Sequence, residues 1–364
     1  MRYIKCSLPA YPVSEDMWDV LAREKRPIVV YGMGNGADKL IERFAKYGIT
    51  VSDFFASDGF VRGHFFHGIR VKSFSEIKET YSDFVIVLSF ASNRAEVIEM
   101  LEGIDSEYEM YVPDMPVAGE EYFDREFYNS HYSEIVSAYS LFEDDYSKFA
   151  YANIINYKLT GKMKYLMDAF SNKDELYGEL PVRDVRTYID AGAYNGDTAR
   201  EAIAYFPNLE RIIAIEPDPK NYKKLLKFKD GVAFPEIIAV NSAVWSEVGD
   251  GGFSSSGNRN SSISSTTSYQ HKETDVSLTS VDALGISADY IKYDVEGAEL
   301  EALIGSHNTL LTSRPTLLVS LYHRSEDIFR IPNYLGLKYP FYKMKLRRLK
   351  CLPAWEMDLL LFAT

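Results

Sequence analysis

Apolar and polar positions follow two repeating patterns along the chain. The first is a short apolar run flanked by turn residues: Ile28-Val29-Val30-Tyr31, Phe84-Val85-Ile86-Val87-Leu88, Tyr188-Ile189, Ile212-Ile213-Ala214-Ile215, Ile237-Ile238-Ala239-Val240, Tyr290-Ile291 and Thr316-Leu317-Leu318-Val319. Such runs predict buried strands. The second pattern has helical spacing, as in Asp38 to Phe44, Phe74 to Thr80, Asn93 to Leu101, Thr198 to Ile203 and Pro219 to Lys229, the last with proline in its first turn. Strands alternating with helices predict parallel sheets covered on both faces. The pattern occurs twice, from about residue 26 to 112 and again beyond residue 181. The fold class is therefore α/β with two Rossmann-like domains. Tyr342 to Leu349 and Trp355 to Phe362 predict an antiparallel hairpin around the Leu352-Pro353-Ala354 turn.

The boundaries expected from this pattern are 1–115 for the first domain, 116–180 for an acidic and helical connector, and 181–364 for the second. A helical lead-in carrying Trp18 and Leu21 precedes the first strand. Between Asp105 and Asp145 there are twelve Asp or Glu residues and one Arg, which predicts a solvated face. Phe149, Ile154, Ile155, Leu159 and Leu166 predict helices that cover one side of the second domain. The Ser/Gly-rich stretch 249–268 reads as a long mobile loop, either a lid or a plain insertion.

Composition narrows the function. A chain of 364 residues with 46% hydrophobic content has ample material for two cores. Its formal charge of −13 argues against a nucleic-acid partner. Cys6 and Cys351 are far apart and form neither a metal motif nor a disulfide framework. Met1 to Cys6 shows no apolar signal core and no run is long enough to span a membrane, so a cytoplasmic enzyme without membrane partners is expected.

The chemistry concentrates at Asp190-Ala191-Gly192-Ala193-Tyr194-Asn195-Gly196-Asp197, a strand, a glycine turn and a helix start. Gly192 permits a sharp turn, and Gly196 is expected to let a ligand approach the helix. A dinucleotide fingerprint needs G-x-G-x-x-G. Here the glycines are spaced G-x-x-x-G between acids, which would repel a pyrophosphate and suit an ammonium. S-adenosylmethionine (SAM) fits better. The next strand ends at Glu216-Pro217-Asp218, where a carboxylate can take both hydroxyls of a ribose. In the first domain Gly32, Gly34 and Gly36 open a helix, with Asp58 near the end of the next strand. Two readings stand side by side there: a nucleotide-sugar site, or a docking or dimer surface. A homodimer is compatible with the second.

Asp294 and His323 end two further strands at the same sheet edge, which makes them candidates for a shared base. Glu299 and Glu301 suit a helix dipole. A divalent cation on Asp294 and a neighbouring acid is the alternative. The metal-free version is preferred, because no compact ligand cluster stands out.

Ile189 to Asp197, Ile215-Glu216-Pro217-Asp218-Pro219, Lys292-Tyr293-Asp294-Val295-Glu296-Gly297-Ala298-Glu299 and Leu321-Tyr322-His323 together resemble the FkbM family of SAM-dependent methyltransferases. The resemblance covers residues from about 140 to 364. It implies a mostly parallel seven-stranded sheet closed by the antiparallel hairpin, and methyl transfer to a hydroxyl of a sugar, glycan or other natural-product acceptor. By the same resemblance Asp190, Gly192, Ala193, Tyr194, Gly196 and Asp197 surround the methionine part of SAM. Glu216 holds the ribose beside Pro217 and Asp218, and Ser242 and Ala243 lie near the adenine. Tyr31-Gly32-Met33-Gly34, Asp58 and Gly68-Ile69-Arg70-Val71 resemble the nucleotide-sugar-binding domain of bacterial sugar O-acyltransferases. The competing function is a non-catalytic nucleotide- or sugar-binding scaffold with a degenerate methyltransferase half.

Overall fold

A computed structural model describes residues 6–61, 63–254, 262–263 and 273–363. Each domain is built on one sheet. In the first, β1 (Ile28–Tyr31), β2 (Asp53–Ala56), β3 (Lys72–Ser73), β4 (Val85–Leu88) and β5 (Met110–Tyr111) form a five-stranded parallel sheet of order β3-β2-β1-β4-β5. β1 and β4 are buried throughout, as expected of central strands with helices on both faces.

The second sheet has seven strands: β6 (Thr187–Ala191), β7 (Arg211–Ile215), β8 (Glu236–Val240), β9 (Tyr290–Tyr293), β10 (Thr316–Ser320), β11 (Tyr342–Arg348) and β12 (Met357–Ala363). Their order is β8-β7-β6-β9-β10-β12-β11. All neighbours are parallel except the pairs made by β12. The chain therefore leaves β6 toward one side and returns on the other. The crevice beyond β6 and β9 is a topological switch point, where ligands bind in open α/β sheets.

Helix α1 (Asp145–Thr160) sets how the domains meet. Apolar residues are spread around its whole circumference, which is the signature of a buried helix rather than a surface one. Ten of its sixteen residues are buried. Ala150, Tyr151, Ile154 and Ile155 join the core of the second sheet, while Tyr157 packs with Val29, Ile86 and Leu88 of the first. The acids around it behave as expected of a solvated face, and none from Asp105 to Asp145 is buried. Several pair with basic residues elsewhere: Asp124 with Arg43 at 2.6 Å, Asp144 with Arg347 at 3.4 Å, and Asp114 with Lys158.

The domains also join through backbone. Ser92 and Leu352 exchange hydrogen bonds of 2.7 and 2.9 Å, fixing the loop after β4 to the β11–β12 turn. The carbonyl of His323 accepts from the amides of Val117 and Ala118 at 3.1 and 2.8 Å.

The Ser/Gly-rich stretch differs from its expected loop. Gly249–Ser254 is a strand paired antiparallel to Glu273–Thr279, and Ser262–Ile263 pairs with its end. Backbone pairing needs no apolar side chains, so composition does not report it. The rest of the stretch lies outside the described residues.

Candidate active site

The register of the second sheet brings three strand ends level. Ala191 pairs with both Ile215 and Tyr293. The next residues, Gly192, Glu216 and Asp294, therefore stand side by side, and all three line a cavity of about 570 Å³. Gly192 is required by this closeness. It has φ +92°, and a Cβ there would lie 1.8 Å from the carbonyl oxygen of Asp294.

Glu216 accepts from the amide of Tyr194 at 2.9 Å through Oε2 and from that of Asp218 at 2.8 Å through Oε1. These bonds fix the carboxylate and leave further lone pairs on both oxygens. Burial pushes its pKa up to about 8, against the opposing pull of the two amides. Tyr194 reaches the cavity from a left-handed backbone with φ +46°. Pro217, Asp197, Ser242 and Ala243 also line it.

Four of the sequence-derived cofactor residues lie elsewhere. Asp190 is fully buried behind the cavity, where Oδ2 accepts from the hydroxyl of Thr198 at 2.5 Å. Burial raises its pKa to about 6, opposed by nearby Lys292. Ala193 is buried, and its amide bonds to Ile215. Asp218 caps the helix Pro219–Asp230 through the amides of Lys220 and Asn221. Gly196, expected to admit a ligand, is needed for packing instead: a Cβ there would meet the Phe228 ring at 2.4 Å.

Asp294 lines the cavity. Its Oδ2 accepts from Lys292 Nζ at 2.7 Å and its Oδ1 from the Tyr322 hydroxyl at 3.1 Å. Burial disfavours its charge, but the Lys292 and His323 cations outweigh burial and hold its pKa at about 2. Its affinity for a proton is therefore low.

His323 departs from its expected place at the edge of the site. It is 1% exposed and lies behind the cavity wall. Its Nδ1 is 2.9 Å from Glu299 Oε1, and its Nε2 is 3.4 Å from Glu296 Oε2 and 3.5 Å from Asp294 Oδ1. Among the described residues neither nitrogen has an aligned hydrogen bond. Burial opposes its charge, yet the carboxylates of Glu299 and Glu296 prevail and hold its pKa well above the ordinary value. It is thus an imidazolium that organises acids rather than a base that meets substrate.

Lys292, Glu296 and the pairing of Glu299 with His323 go beyond the roles expected from sequence, although all three residues lie in the Lys292–Glu299 motif. Glu299 stands in the first turn of the helix Glu299–Ile304, as expected, and is also fully buried against His323. Glu296 lines the cavity with φ +54°, and burial raises its pKa, partly offset by His323. Gly297, with φ +97°, turns the chain between these two acids. A compact set of ligand-type atoms does exist after all: one each from Asp294, Glu299 and His323 lie within 4.8 Å of one another. Lys292 and the imidazolium already supply positive charge there.

In the first domain the glycines have a packing role. A Cβ on Gly32 would meet the Ser89 hydroxyl at 2.7 Å, and one on Gly36 would meet the Ser89 carbonyl oxygen at 2.1 Å. Gly34, with φ +126°, has open space around it and precedes the helix Asn35–Tyr47. Asp58, expected to hold a ribose or base edge, instead caps the helix Phe74–Thr80. It accepts from the amides of Phe74 and Ser75 at 2.9 and 3.3 Å and from the Ser75 hydroxyl at 2.7 Å. The glycine turn thereby seats the loop after β4, whose continuation Ala91-Ser92-Asn93 lines the cavity of the second domain.

Comparison with known proteins agrees with this architecture. A methyltransferase FkbM from Methylobacillus flagellatus KT superposes with a TM-score of 0.71 at 19% identity, covering 98% of this chain and 94% of that one. The likeness therefore extends to the fold of both domains. A precorrin-6y C5,15-methyltransferase from Geobacter metallireducens GS-15 aligns over 54% of this chain and 92% of its own at 12% identity, with a TM-score of 0.33. The fibrillarin of Aeropyrum pernix, solved with natively bound SAM, aligns over 52% of this chain and 72% of its own at 16% identity, also with a TM-score of 0.33. Both likenesses are too slight to bear on this chain. No curated protein matches it in sequence. Among the described residues no helix is long and apolar enough to cross a membrane. Residues 190–343, which carry every strand-end group of the second sheet described above, match the family model of the methyltransferase FkbM domain.

Proposed function

We propose that this protein is a SAM-dependent O-methyltransferase whose acceptor is a hydroxyl of a sugar or related compound. The observation that carries the reading is the junction of Gly192, Glu216 and Asp294 around one cavity that continues to the first domain. The residues fit the cofactor. Glu216, already fixed by two amides, has lone pairs left for two ribose hydroxyls, and Asp197 and Tyr194 flank the turn where an amino-acid moiety would lie. SAM supplies a methyl group on a sulfonium, itself a good leaving group. The protein's tasks are therefore to position the acceptor and to take its proton.

Those tasks divide between two acids. Asp294, kept ionised by Lys292 and His323, accepts a hydrogen bond from the acceptor hydroxyl and orients it. Glu296 is the better proton acceptor because its pKa is raised and it faces the cavity. His323 stabilises the charge that the acids carry. The division amends the shared Asp294–His323 base expected from sequence. No metal takes part in this account, since Lys292 and His323 already supply the positive charge.

Glu296→Gln tests the assignment. With labelled SAM and a panel of sugar nucleotides and glycosides, turnover should fall by about 10²–10⁴-fold with SAM affinity unchanged. Wild-type turnover should rise with pH through the raised Glu296 pKa, because only the ionised form accepts a proton. Full turnover in the variant would remove Glu296 from the mechanism. A scaffold without catalysis would bind SAM and transfer no methyl group to any acceptor.

A further inference from the structure

The cavity runs from the strand ends of the second sheet to the β11–β12 turn and a loop of the first domain. Asp197, Glu216, Asp294 and Glu296 line it at the strand ends, Glu201 lines it beside Lys173, and Glu356 and Asp358 line it from the hairpin, where the Glu356 carbonyl accepts from the Leu349 amide at 2.8 Å. The far lobe is formed by Ala91-Ser92-Asn93 of the first domain, by Phe170, and by Lys350 in the β11–β12 turn.

The cavity's three lysines are held differently. Lys292 is locked to Asp294 at 2.7 Å, and Lys173 pairs closely with Glu201. Lys350 is held loosely: among the described residues its ion pair is with Glu102, at 3.5 Å, and its Nζ sits 5.2 Å from the centre of the Phe170 ring. At that distance the ion pair contributes little. Phe170 is 41% exposed, so the ring offers an apolar face beside the cation. The backbone bridge between Ser92 and Leu352 holds the two walls of the lobe at a fixed separation.

Resting on the methyltransferase reading, we propose that Lys350, with Phe170 and the Ser92–Asn93 loop, forms a subsite for a phosphate group of the acceptor. The substrate is then a phosphorylated sugar, its ring over Phe170 and its methylated hydroxyl at Asp294. The phosphate belongs either to a sugar monophosphate or to a nucleotide diphosphate-sugar. A lysine point charge binds such a group without fixed geometry. Lys350 at one end and Asp294 at the other then fix the direction of the acceptor between them. The first domain thus contributes to acceptor selection through the loop after β4, not through its glycine turn.

The test uses the full chain saturated with S-adenosylhomocysteine, so that the cofactor lobe is filled. Inorganic phosphate and UDP are titrated separately, by ³¹P NMR line broadening and by calorimetry. At least one should bind, and Lys350→Gln should weaken it by tenfold or more while the melting temperature and the affinity for S-adenosylhomocysteine stay unchanged. UDP binding much tighter than phosphate assigns a nucleotide-linked acceptor, and comparable binding of the two assigns a simple sugar phosphate. Failure of both probes to bind, or equal binding by wild type and Lys350→Gln, overturns the subsite. Affinity for S-adenosylhomocysteine is measured first in the same calorimeter. Its absence would remove the methyltransferase reading, whereas its presence without phosphate binding removes only the subsite.

Discussion

Glu216 provides a prediction whose size follows from its surroundings. Burial raises its pKa to about 8, so at pH 6 it is almost wholly protonated. A ribose donates two hydroxyl hydrogens, and the ionised carboxylate is the form that accepts both. Binding must therefore ionise Glu216, at a cost near 1.4 kcal/mol for each pH unit below its pKa. At pH 6 that is roughly 2.7 kcal/mol. The sign is fixed by linkage: ligand binding releases a proton, so affinity rises with pH until Glu216 is ionised in the free protein. The suitable probe is 5′-methylthioadenosine, which has the ribose and adenine without the titrating amino acid. Calorimetry from pH 6 to pH 9 should show affinity rising about tenfold per unit to near pH 8 and levelling above it. Glu216→Gln should bind more weakly and without this slope. An equal, flat profile in wild type and variant would mean that Glu216 does not hold the ribose.

Two further predictions concern stability. His323→Ala leaves Glu299 buried without its cation and should cost about 3–5 kcal/mol, with Glu299→Gln in the same chain restoring part of it; an unchanged denaturant midpoint would show that the cluster is not charge-balanced by His323. Gly192→Ala combines a left-handed backbone with a Cβ driven into Asp294, together roughly 2–5 kcal/mol, and should lower both the melting temperature and SAM affinity; retention of both would mean that β6 and β9 do not approach so closely.

Much of this architecture is written locally. Parallel strands such as Ile28–Tyr31 and Arg211–Ile215 are buried apolar runs, the second from Ile212 onward, and the closing hairpin shows in its two runs and the turn between them. The positions of Glu216 and Asp294 were legible for the same reason, since a strand end is a local feature. What was missed depends on distant partners. Nothing near Gly196 announces that Phe228 packs on it, and nothing near Asp58 announces the helix it caps. Glu299 looks like an ordinary first-turn acid until β10 delivers His323 to it. His323 sits in a strand-end motif, but its carbonyl is held by the amides of Val117 and Ala118 and its ring by Glu299, all outside that motif. Lys292 alternates with apolar neighbours as any strand residue would, and only the adjacent acids reveal its role.

The central claim is that the strand ends of the second sheet bind SAM through Glu216. Calorimetric titration of SAM into wild type and Glu216→Ala at pH 8, with folding of both confirmed by circular dichroism, tests it most directly. Two charge-assisted hydrogen bonds, each contributing about 1.5–3 kcal/mol, are lost in the variant, so its affinity should fall by at least a hundredfold. SAM binding of equal strength in both proteins, or none in the wild type, would contradict the account.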